Sequence, residues 1–263
     1  MNVDPGPFRL GPVGSTGPAV LCLHGLTGTP YEIRPPAEAL ASVGFACVGP
    51  LLPGHGEPVE RLAATAPEEW VEAVLRAFDE LQSTHPRVYV AGLSLGGLLA
   101  LLLGARRAVA GLLVLAAPIR LRPLARFAVP LLAPILHSLP KRPGIRDPEA
   151  RERHPGTPRM PLRSVRNLQR VQRLLLSELS RIRAPLHLIY SRLDPTVDPR
   201  DAEWIQRRVG SSLTSVRYLE LSSHVLPVDV ERDLVAGDCV SFLQKLEEAA
   251  TAASRVDGAP GAS

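Results

Sequence analysis

Short apolar runs alternate with amphipathic segments along most of this 263-residue chain. The apolar runs are bounded by turn residues and predict buried strands at 19–23, 45–48, 87–91, 111–116, 185–190 and 216–221. Apolar residues at helical spacing predict helices between them, at 31–43, 67–81, 95–105, 200–209 and 231–249. Strands that alternate with helices form a mainly parallel sheet covered by helices on both faces. The predicted fold class is therefore α/β, in a chain long enough for one sizeable domain.

One segment, residues 118–184, breaks this alternation and predicts a small cap over the carboxyl edge of the sheet. It begins with six prolines between positions 118 and 143. It ends in an amphipathic helix whose basic face carries four arginines, Arg163, Arg166, Arg170 and Arg173. The predicted organisation is an α/β core over 1–117 and 185–249, the cap over 118–184, and a disordered tail of small and polar residues over 250–263.

Charge is distributed unevenly between the cap and the core. Residues 120–183 contain 15 Lys+Arg and 4 Asp+Glu, a local net charge of +11 in a chain whose total is +4. A basic segment in an acidic body favours weak contact with an anionic lipid surface, and the alternative is a solvated arginine-rich face. Aromatic residues make up 4% of the chain and are not interleaved with the arginines, so we expect no nucleic-acid partner.

The segment 91–97, AGLSLGG, lies at the junction of a predicted strand and a predicted helix. When the chain reverses direction from a strand to a helix within a few residues, the positions two before and two after the apex of the turn have no room for side chains. Glycine fits at both positions, which here are Gly92 and Gly96. The apex residue, Ser94, is exposed by the turn, and the free N–H groups of the following helix point at the same place. We therefore predict that Ser94 is a nucleophile. The alternative is an ordinary turn with an incidental hydroxyl.

A serine hydroxyl is a weak nucleophile and needs a base, for which the chain has seven histidines. His224 stands three residues past the last predicted strand, at the carboxyl edge beside Ser94. The other histidines lie in strands, loops or the cap: His24, His55, His85, His137, His154 and His187. His224 is therefore the predicted base.

The imidazole in turn needs a carboxylate that fixes its tautomer and stabilises its cation. Asp194 and Asp198 both follow the strand predicted at 185–190. Asp198 precedes a proline and is expected to cap the next helix, so Asp194 is the predicted acid and Asp198 is held in reserve. A tetrahedral intermediate also needs N–H donors for its oxyanion. The predicted donors are the amides of Leu95, directly after the serine, and of Leu26, in the loop after the first strand; plain loop packing is the alternative for Leu26.

Together these residues resemble the α/β-hydrolase superfamily, and more narrowly the small bacterial carboxylesterases and monoacylglycerol lipases with a short cap. The matching stretches, from about residue 19 to residue 247, are VLCLHGLTGTPYEIRPPAEAL, GPLLPGHGE, PEEWVEAV, VYVAGLSLGG, LIYSRLDPTVDP and SSHVLPVD. The resemblance implies the α/β-hydrolase fold, the triad Ser94, Asp194 and His224, oxyanion donors at Leu26 and Leu95, and no metal or cofactor. The cap sequence over 119–161 departs most from the family pattern.

The expected activity is that of a serine carboxylesterase, which hydrolyses small-molecule esters of short to medium acyl chain through an acyl-enzyme. Monoacylglycerol lipase, or thioesterase or acyltransferase activity on the same scaffold, is the alternative. A non-catalytic binding protein is disfavoured because every triad member is present. No Cys/His spacing is typical of a zinc site. The three cysteines lie in apolar patterns and no early segment has the features of a secretory signal, so we expect a cytoplasmic location.

Overall fold

The computed structural model describes residues 3–12, 17–121 and 123–257, and its central element is a seven-stranded sheet. The strands are β1 (Phe8–Leu10), β2 (Ala19–Leu23), β3 (Ala46–Gly49), β4 (Val88–Leu93), β5 (Gly111–Leu115), β6 (Ser138–Pro140), β7 (Arg159–Pro161), β8 (Leu186–Ser191) and β9 (Thr214–Leu219). The sheet order is β1-β3-β2-β4-β5-β8-β9, with β1 antiparallel to β3 and the other neighbours parallel. Strands β6 and β7 form a separate antiparallel ribbon. The predicted α/β class with a mainly parallel sheet is confirmed.

Helices cover both faces of the sheet. They are α1 (Arg34–Ser42), α2 (Val59–Ala64), α3 (Pro67–Gln82), α4 (Leu95–Arg106), α5 (Pro123–Leu132), α6 (Pro148–Arg153), α7 (Leu162–Glu178), α8 (Asp201–Gln206) and α9 (Arg232–Asp257). Alternate residues of β2 enter opposite cores, as the pleat requires: Leu21 and Leu23 pack with α3 and α4, while Val20 and Cys22 pack with α1 and α9. Within the described ranges, no helix combines the length and the apolar character needed to cross a bilayer.

The last elements differ most from the prediction. Strand β9 ends at Leu219, where its pairing with β8 ends, so His224 stands five residues past the strand rather than three. Helix α9 continues to Asp257, so residues 250–257 of the expected disordered tail are helical. This part of the sequence is rich in alanine, which favours a helix. Residues 258–263 of the expected tail lie outside the described residues.

Helix α7 lies in the segment 118–184, for which a cap is predicted and which is termed the cap, and it packs against the core as well as against α5. Its buried residues Leu168, Val171 and Leu175 belong to the same hydrophobic cluster as α4, and α7 lies against α4. The four arginines of its predicted basic face are all exposed: Arg163, Arg166, Arg170 and Arg173. The amphipathic pattern therefore places α7 correctly, with its apolar face on the core and its basic face towards solvent.

Two buried histidines lie next to each other beneath the carboxyl edge of the sheet. The His55 ring lies 4.8 Å from the ring of His24 and 6.2 Å from that of Trp70. Burial, reinforced by the charge of His24, lowers the pKa of His55 to about 3. Burial also lowers the pKa of His24. Both imidazoles are therefore neutral in the folded protein at neutral pH.

We expect the free energy of unfolding to fall as the pH is lowered from about 6.5 towards 4. Unfolded histidines bind a proton near pH 6.5, whereas folded His55 binds one near pH 3, so over this window the unfolded state holds more protons. For His55 alone the loss is on the order of 3 kcal/mol at pH 4. Urea unfolding midpoints at pH 7, 5.5 and 4 measure this loss.

Two variants control the experiment. His55→Gln should weaken the pH dependence of the urea midpoint, whereas His137→Gln, at an exposed position, should leave it as in the wild type. Equal pH dependence in all three proteins contradicts the assignment of His55 as a neutral buried imidazole.

Candidate active site

Ser94 occupies the turn between β4 and α4, with its backbone in the left-handed region at φ 54°. This conformation costs a residue other than glycine on the order of 1–3 kcal/mol. A Cβ on Gly92 would lie 2.2 Å from the carbonyl oxygen of Gly96, and a Cβ on Gly96 would lie 2.2 Å from the carbonyl oxygen of Leu23. Glycine at both positions therefore lets the turn close, and Ser94 lines a cavity at the carboxyl edge of the sheet.

A chain of two hydrogen bonds links three loops at this edge. Ser94 Oγ lies 3.0 Å from Nε2 of His224, and Nδ1 of the same ring lies 2.7 Å from Oδ2 of Asp194. With a proton on Nδ1 donated to the carboxylate, Nε2 is left to accept the hydroxyl proton of Ser94. The structure thus brings together the serine, the histidine and the first-choice carboxylate of the sequence analysis.

Asp194 is buried, 4% exposed, and is held by its surroundings in the ionised form. Its Oδ1 accepts the amide hydrogens of Thr196 and Val197, at 2.7 and 3.0 Å. Burial acts to raise the pKa of Asp194, but His224 and the two amide donors outweigh it and hold the pKa below its ordinary value. The carboxylate is therefore charged at neutral pH and aligned with the imidazole.

Asp198, the reserve candidate, is directed elsewhere. Its carboxylate accepts the amide hydrogen of Arg200 at 3.0 Å and pairs with the guanidinium of the same residue at 2.7 Å. The predicted helix N-cap is wrong, because α8 begins at Asp201 and its N-cap residue is Arg200. An aspartate that bonds the amide two residues on forms a turn of its own, and this turn precedes the helix.

The loop at residues 24–28, termed the β2 loop, lies against the serine: a Cβ on Gly25 would lie 3.5 Å from Ser94 Cβ. His24 Nε2 accepts a backbone amide hydrogen at 3.0 Å, so its Nδ1 carries the proton that is donated to the Gly25 carbonyl at 2.9 Å. That carbonyl and the Leu26 N–H belong to one planar peptide. His24 therefore fixes the direction of the Leu26 N–H.

Leu26 and Leu95, the predicted oxyanion donors, occupy different environments. Leu95 is the first residue of α4, so its N–H has no carbonyl four residues earlier in the helix, and it lies at the positive end of the helix dipole. The Leu95 side chain is fully buried, whereas the Leu26 side chain lines the cavity. Leu26 thus forms part of the cavity wall, and its amide belongs to the loop that lies against Ser94.

A cavity of about 430 Å³ opens above Ser94 and His224. Its apolar lining comes from both core and cap: Leu26, Leu93, Leu121, Ile145, Met160, Val165, Leu168 and Val225. The cap also holds the histidine loop, since the carbonyl oxygen of Gly144 accepts the amide hydrogens of His224 and Val225 at 2.9 Å each. An apolar cavity of this size with a few polar groups is typical of a small-molecule site.

Sequence reasoning missed a group of polar side chains beside this cavity. Glu32 and Lys141 line it, and the Glu32 carboxylate lies 2.8 Å from Nε2 of His154. No local sequence pattern predicts the pairing of Glu32 with His154, because the two residues are 122 positions apart in the chain. The available signal was Glu32 itself, a carboxylate next to apolar residues just before α1, where unpaired acids are rare.

Known proteins similar to this chain include esterases and lipases. A family model described as serine aminopeptidase, S33, matches residues 14–231. The chain is 29% identical over 230 residues to a carboxylesterase of Bacillus subtilis (strain 168), covering 87% of this chain and 93% of that protein. It is also 29% identical over 238 residues to a thermostable monoacylglycerol lipase of Bacillus sp. (strain H-257), covering 89% and 92%.

A solved structure reported for LipS and LipT, two metagenome-derived lipolytic enzymes, superposes with a TM-score of 0.84 at 26% identity. The superposition covers 92% of this chain and 98% of that one. The relatives place the chain among the α/β-hydrolases, in the group of serine esterases and monoacylglycerol lipases. Because the family model matches most of its length, the chain belongs to the serine aminopeptidase S33 family.

Proposed function

We propose that this protein is a carboxylesterase that hydrolyses short- to medium-chain carboxylic esters through an acyl-enzyme on Ser94. The observation that carries the proposal is the hydrogen-bonded chain from Ser94 through His224 to Asp194 at an apolar cavity. Similarity to a carboxylesterase and to lipolytic enzymes supports esters as the substrates.

In the first half-reaction, Ser94 Oγ attacks the ester carbonyl carbon while Nε2 of His224 takes the hydroxyl proton. The carbonyl oxygen becomes an oxyanion and accepts hydrogen bonds from the amides of Leu26 and Leu95. The ionised carboxylate of Asp194 stabilises the imidazolium. The intermediate then collapses, Nε2 gives its proton to the departing alkoxide oxygen, and the alcohol leaves an acyl group on Ser94.

In the second half-reaction, water attacks the carbonyl carbon of the acyl-enzyme and gives a proton to Nε2 of His224. The same two amides receive the second oxyanion. When this intermediate collapses, the bond to Ser94 Oγ breaks and the proton returns to that oxygen. The products are a carboxylic acid and the free enzyme.

Charge at the cavity favours an ester over a peptide with a free amino terminus. An α-ammonium group needs an available carboxylate, and Glu32 is the only acidic side chain among the described residues that line the cavity. Its two oxygens are already engaged, one by the Gly25 amide and one by His154. Lys141 and Arg142 line the same cavity and would repel an ammonium group.

Monoacylglycerol lipase activity is the second candidate, favoured by the similarity to a thermostable monoacylglycerol lipase. The two activities share the chemistry at Ser94 and differ in the alcohol that leaves. Hydrolysis of 1-octanoylglycerol and of ethyl octanoate, compared by kcat/KM, separates them. A higher kcat/KM for the glyceride supports the lipase, and a value no higher than that for the ethyl ester supports the esterase.

The Ser94→Ala variant should lose nearly all hydrolysis of p-nitrophenyl esters, because the nucleophile is gone. We expect kcat to fall on the order of 10⁴- to 10⁶-fold. For the wild type, kcat/KM should peak between the butyrate and octanoate esters and decline for the palmitate ester, because the cavity is small. An inert wild type, or a Ser94→Ala variant with wild-type rates, contradicts the proposal.

Asp194→Asn should lower kcat on the order of 10³- to 10⁴-fold, because the amide no longer holds the tautomer of His224 that accepts a proton at Nε2. The matched control is Asp198→Asn, which removes a nearby carboxylate that pairs with Arg200. This control should keep kcat within a few-fold of the wild type. If the two variants lose equal activity, the assignment of the acid to Asp194 fails. The measurement is steady-state hydrolysis of p-nitrophenyl butyrate at pH 8.

We infer a cytoplasmic location from the cysteines. Cys22, Cys47 and Cys239 are buried free thiols. Burial raises the pKa of Cys239 to about 12, so this thiol stays protonated and unreactive. Free structural thiols of this kind fit a reducing compartment.

We also propose that the cap makes weak contact with anionic lipid surfaces. Phe127, Leu131 and Ile135, termed the apolar ridge, are 68%, 73% and 83% exposed. Next to the ridge, Pro130 lines a groove with the exposed arginines of α7: Arg163, Arg166, Arg170 and Arg173. Apolar side chains beside cationic ones match the interface of an anionic bilayer.

Two double variants separate the apolar and the ionic parts of this contact. Leu131→Ser/Ile135→Ser and Arg166→Gln/Arg170→Gln should each reduce co-sedimentation with vesicles that contain phosphatidylserine. At ~1 kcal/mol per arginine, the arginine variant should bind about 30-fold more weakly. The control is Leu213→Ser. Leu213 is an exposed leucine directly before the first residue of β9, and this variant should bind the vesicles as the wild type does.

The same sedimentation is run at two salt concentrations and with neutral vesicles. Binding to anionic vesicles should weaken at the higher salt, since salt screens the arginines. Equal binding of the wild type to anionic and neutral vesicles contradicts the proposed contact.

A further inference from the structure

Glu32 is a buried carboxylate at the catalytic cavity that the proposed reaction does not use. It lies in the single helical turn Pro30–Ile33, just after the β2 loop, and is 2% exposed. Its Oε2 accepts the amide hydrogen of Gly25 at 3.0 Å, and its Oε1 lies 2.8 Å from Nε2 of His154. Since Nδ1 of His154 accepts the Gly156 amide hydrogen, Nε2 is the nitrogen that donates to Glu32.

The β2 loop is folded tightly around this carboxylate. A Cβ on Gly28 would lie 2.0 Å from Glu32 Oε2, and a Cβ on Gly25 would lie 3.0 Å from the same oxygen. The Gly28 amide also bonds the Gly25 carbonyl at 3.1 Å, which closes the loop as a turn. The two glycines thus let the backbone that carries the Leu26 N–H approach the carboxylate.

The cap supplies a hydrogen bond and a charge that keep Glu32 ionised. Burial acts to raise the pKa of Glu32, but the hydrogen bond from His154 and the positive charge of Lys141 act against it, and the pKa falls to about 2. His154 and Lys141 both belong to the cap, so the carboxylate is buried and compensated only when the cap is in place. A buried ion pair is weak evidence of a role in stability.

The cap also contacts the strained residue of the β2 loop. Thr27 has a left-handed backbone, with φ at 65°. Its hydroxyl donates to the Leu26 carbonyl at 2.5 Å and accepts a hydrogen bond from Nζ of Lys141. Its carbonyl accepts the amide hydrogen of Thr157, a further cap residue, at 2.8 Å. The peptide before Leu26 is therefore held through the Gly25 carbonyl by His24, and the peptide after it is held through the Leu26 carbonyl by Thr27, which the cap contacts. Glu32 holds the peptide one position earlier, through the Gly25 amide.

We propose that Glu32 is a positioning residue: it holds the β2 loop in the shape that directs the Leu26 N–H at the reacting carbonyl, with His154 and Lys141 of the cap as its partners. The proposal rests on the proposed ester hydrolysis at Ser94. It assigns the cap a part in the chemical step, in addition to forming the cavity. Glu32 itself does not touch the substrate's reacting atoms.

The test compares Glu32→Ala and Glu32→Gln with the wild type on p-nitrophenyl butyrate, with rates divided by the concentration of active sites titrated with a fluorophosphonate. Loss of one oxyanion donor costs roughly 10²- to 10³-fold in kcat, so a displaced donor should cost about 10- to 100-fold. We expect this loss in kcat for Glu32→Ala with KM within about threefold. Glu32→Gln keeps an oxygen for the Gly25 amide and should recover part of the rate.

A second readout separates positioning from folding. An alkylboronic acid forms a tetrahedral adduct on a serine, and one of its oxygens takes the place of the oxyanion. Its affinity should weaken by the same factor as kcat/KM in each Glu32 variant. His154→Gln, which changes the partner and leaves Glu32 in place, should show the same pattern with a smaller loss.

Glu178→Gln is the matched control. Glu178 of α7 pairs with Arg106 at 2.7 Å, a half-buried cap-to-core ion pair at the far end of α4, roughly 18 Å along the helix from Ser94. This variant should keep kcat and boronate affinity within about twofold of the wild type. The proposal is overturned if Glu32→Ala and His154→Gln also keep kcat per titrated site and boronate affinity within twofold of the wild type. A wild type inert on all esters instead overturns the proposed function.

Discussion

At Gly96, the first turn of α4 passes so close to the end of β2 that a Cβ would lie 2.2 Å from the Leu23 carbonyl oxygen. Because β2 and β4 are neighbours in the sheet, this approach fixes the serine turn relative to the β2 loop. Ser94 is forced into a left-handed backbone, and the amides of Leu95 and Leu26 come from the two segments that meet there. The proposed nucleophile and its proposed oxyanion donors therefore depend on one steric constraint between backbones.

The cap adds a second set of constraints, and these are electrostatic. Its Gly144 carbonyl holds the loop that carries His224, and its His154 and Lys141 compensate the buried Glu32. Fixed dipoles and charges interact more strongly with a charged group in a site that excludes water than they do in solvent. Their positions therefore matter for a reaction in which an oxyanion forms. The cap thus contacts both sides of the serine: the histidine loop on one side and the β2 loop on the other.

Much of the fold and part of the site could be predicted from local patterns. Hydrophobic periodicity predicts β2 at its observed bounds and most other elements within a few residues of theirs. This works because the buried side chains of a strand or a helix recur about every two to four residues along the sequence. Ser94, Asp194 and His224 are predictable as one site because each follows a strand, and parallel strands end at one edge of the sheet. The sequence predicts disorder at 250–257 because its residues are small and polar, whereas the structure has a helix there, which alanine favours.

The sequence by itself determined the α/β class, the glycines of the serine turn and the order of the three catalytic candidates. These follow from sterics and periodicity, which act over a few residues. Only the tertiary structure decided that Asp194 faces His224 while Asp198 pairs with Arg200, and that Glu32 meets His154. Hydrogen bonding and charge compensation depend on distances between segments that lie far apart in the chain. For Asp194 and His224 that distance is set by the neighbouring loops after β8 and β9, and for Glu32 and His154 it is set by the packing of the cap beside the β2 loop.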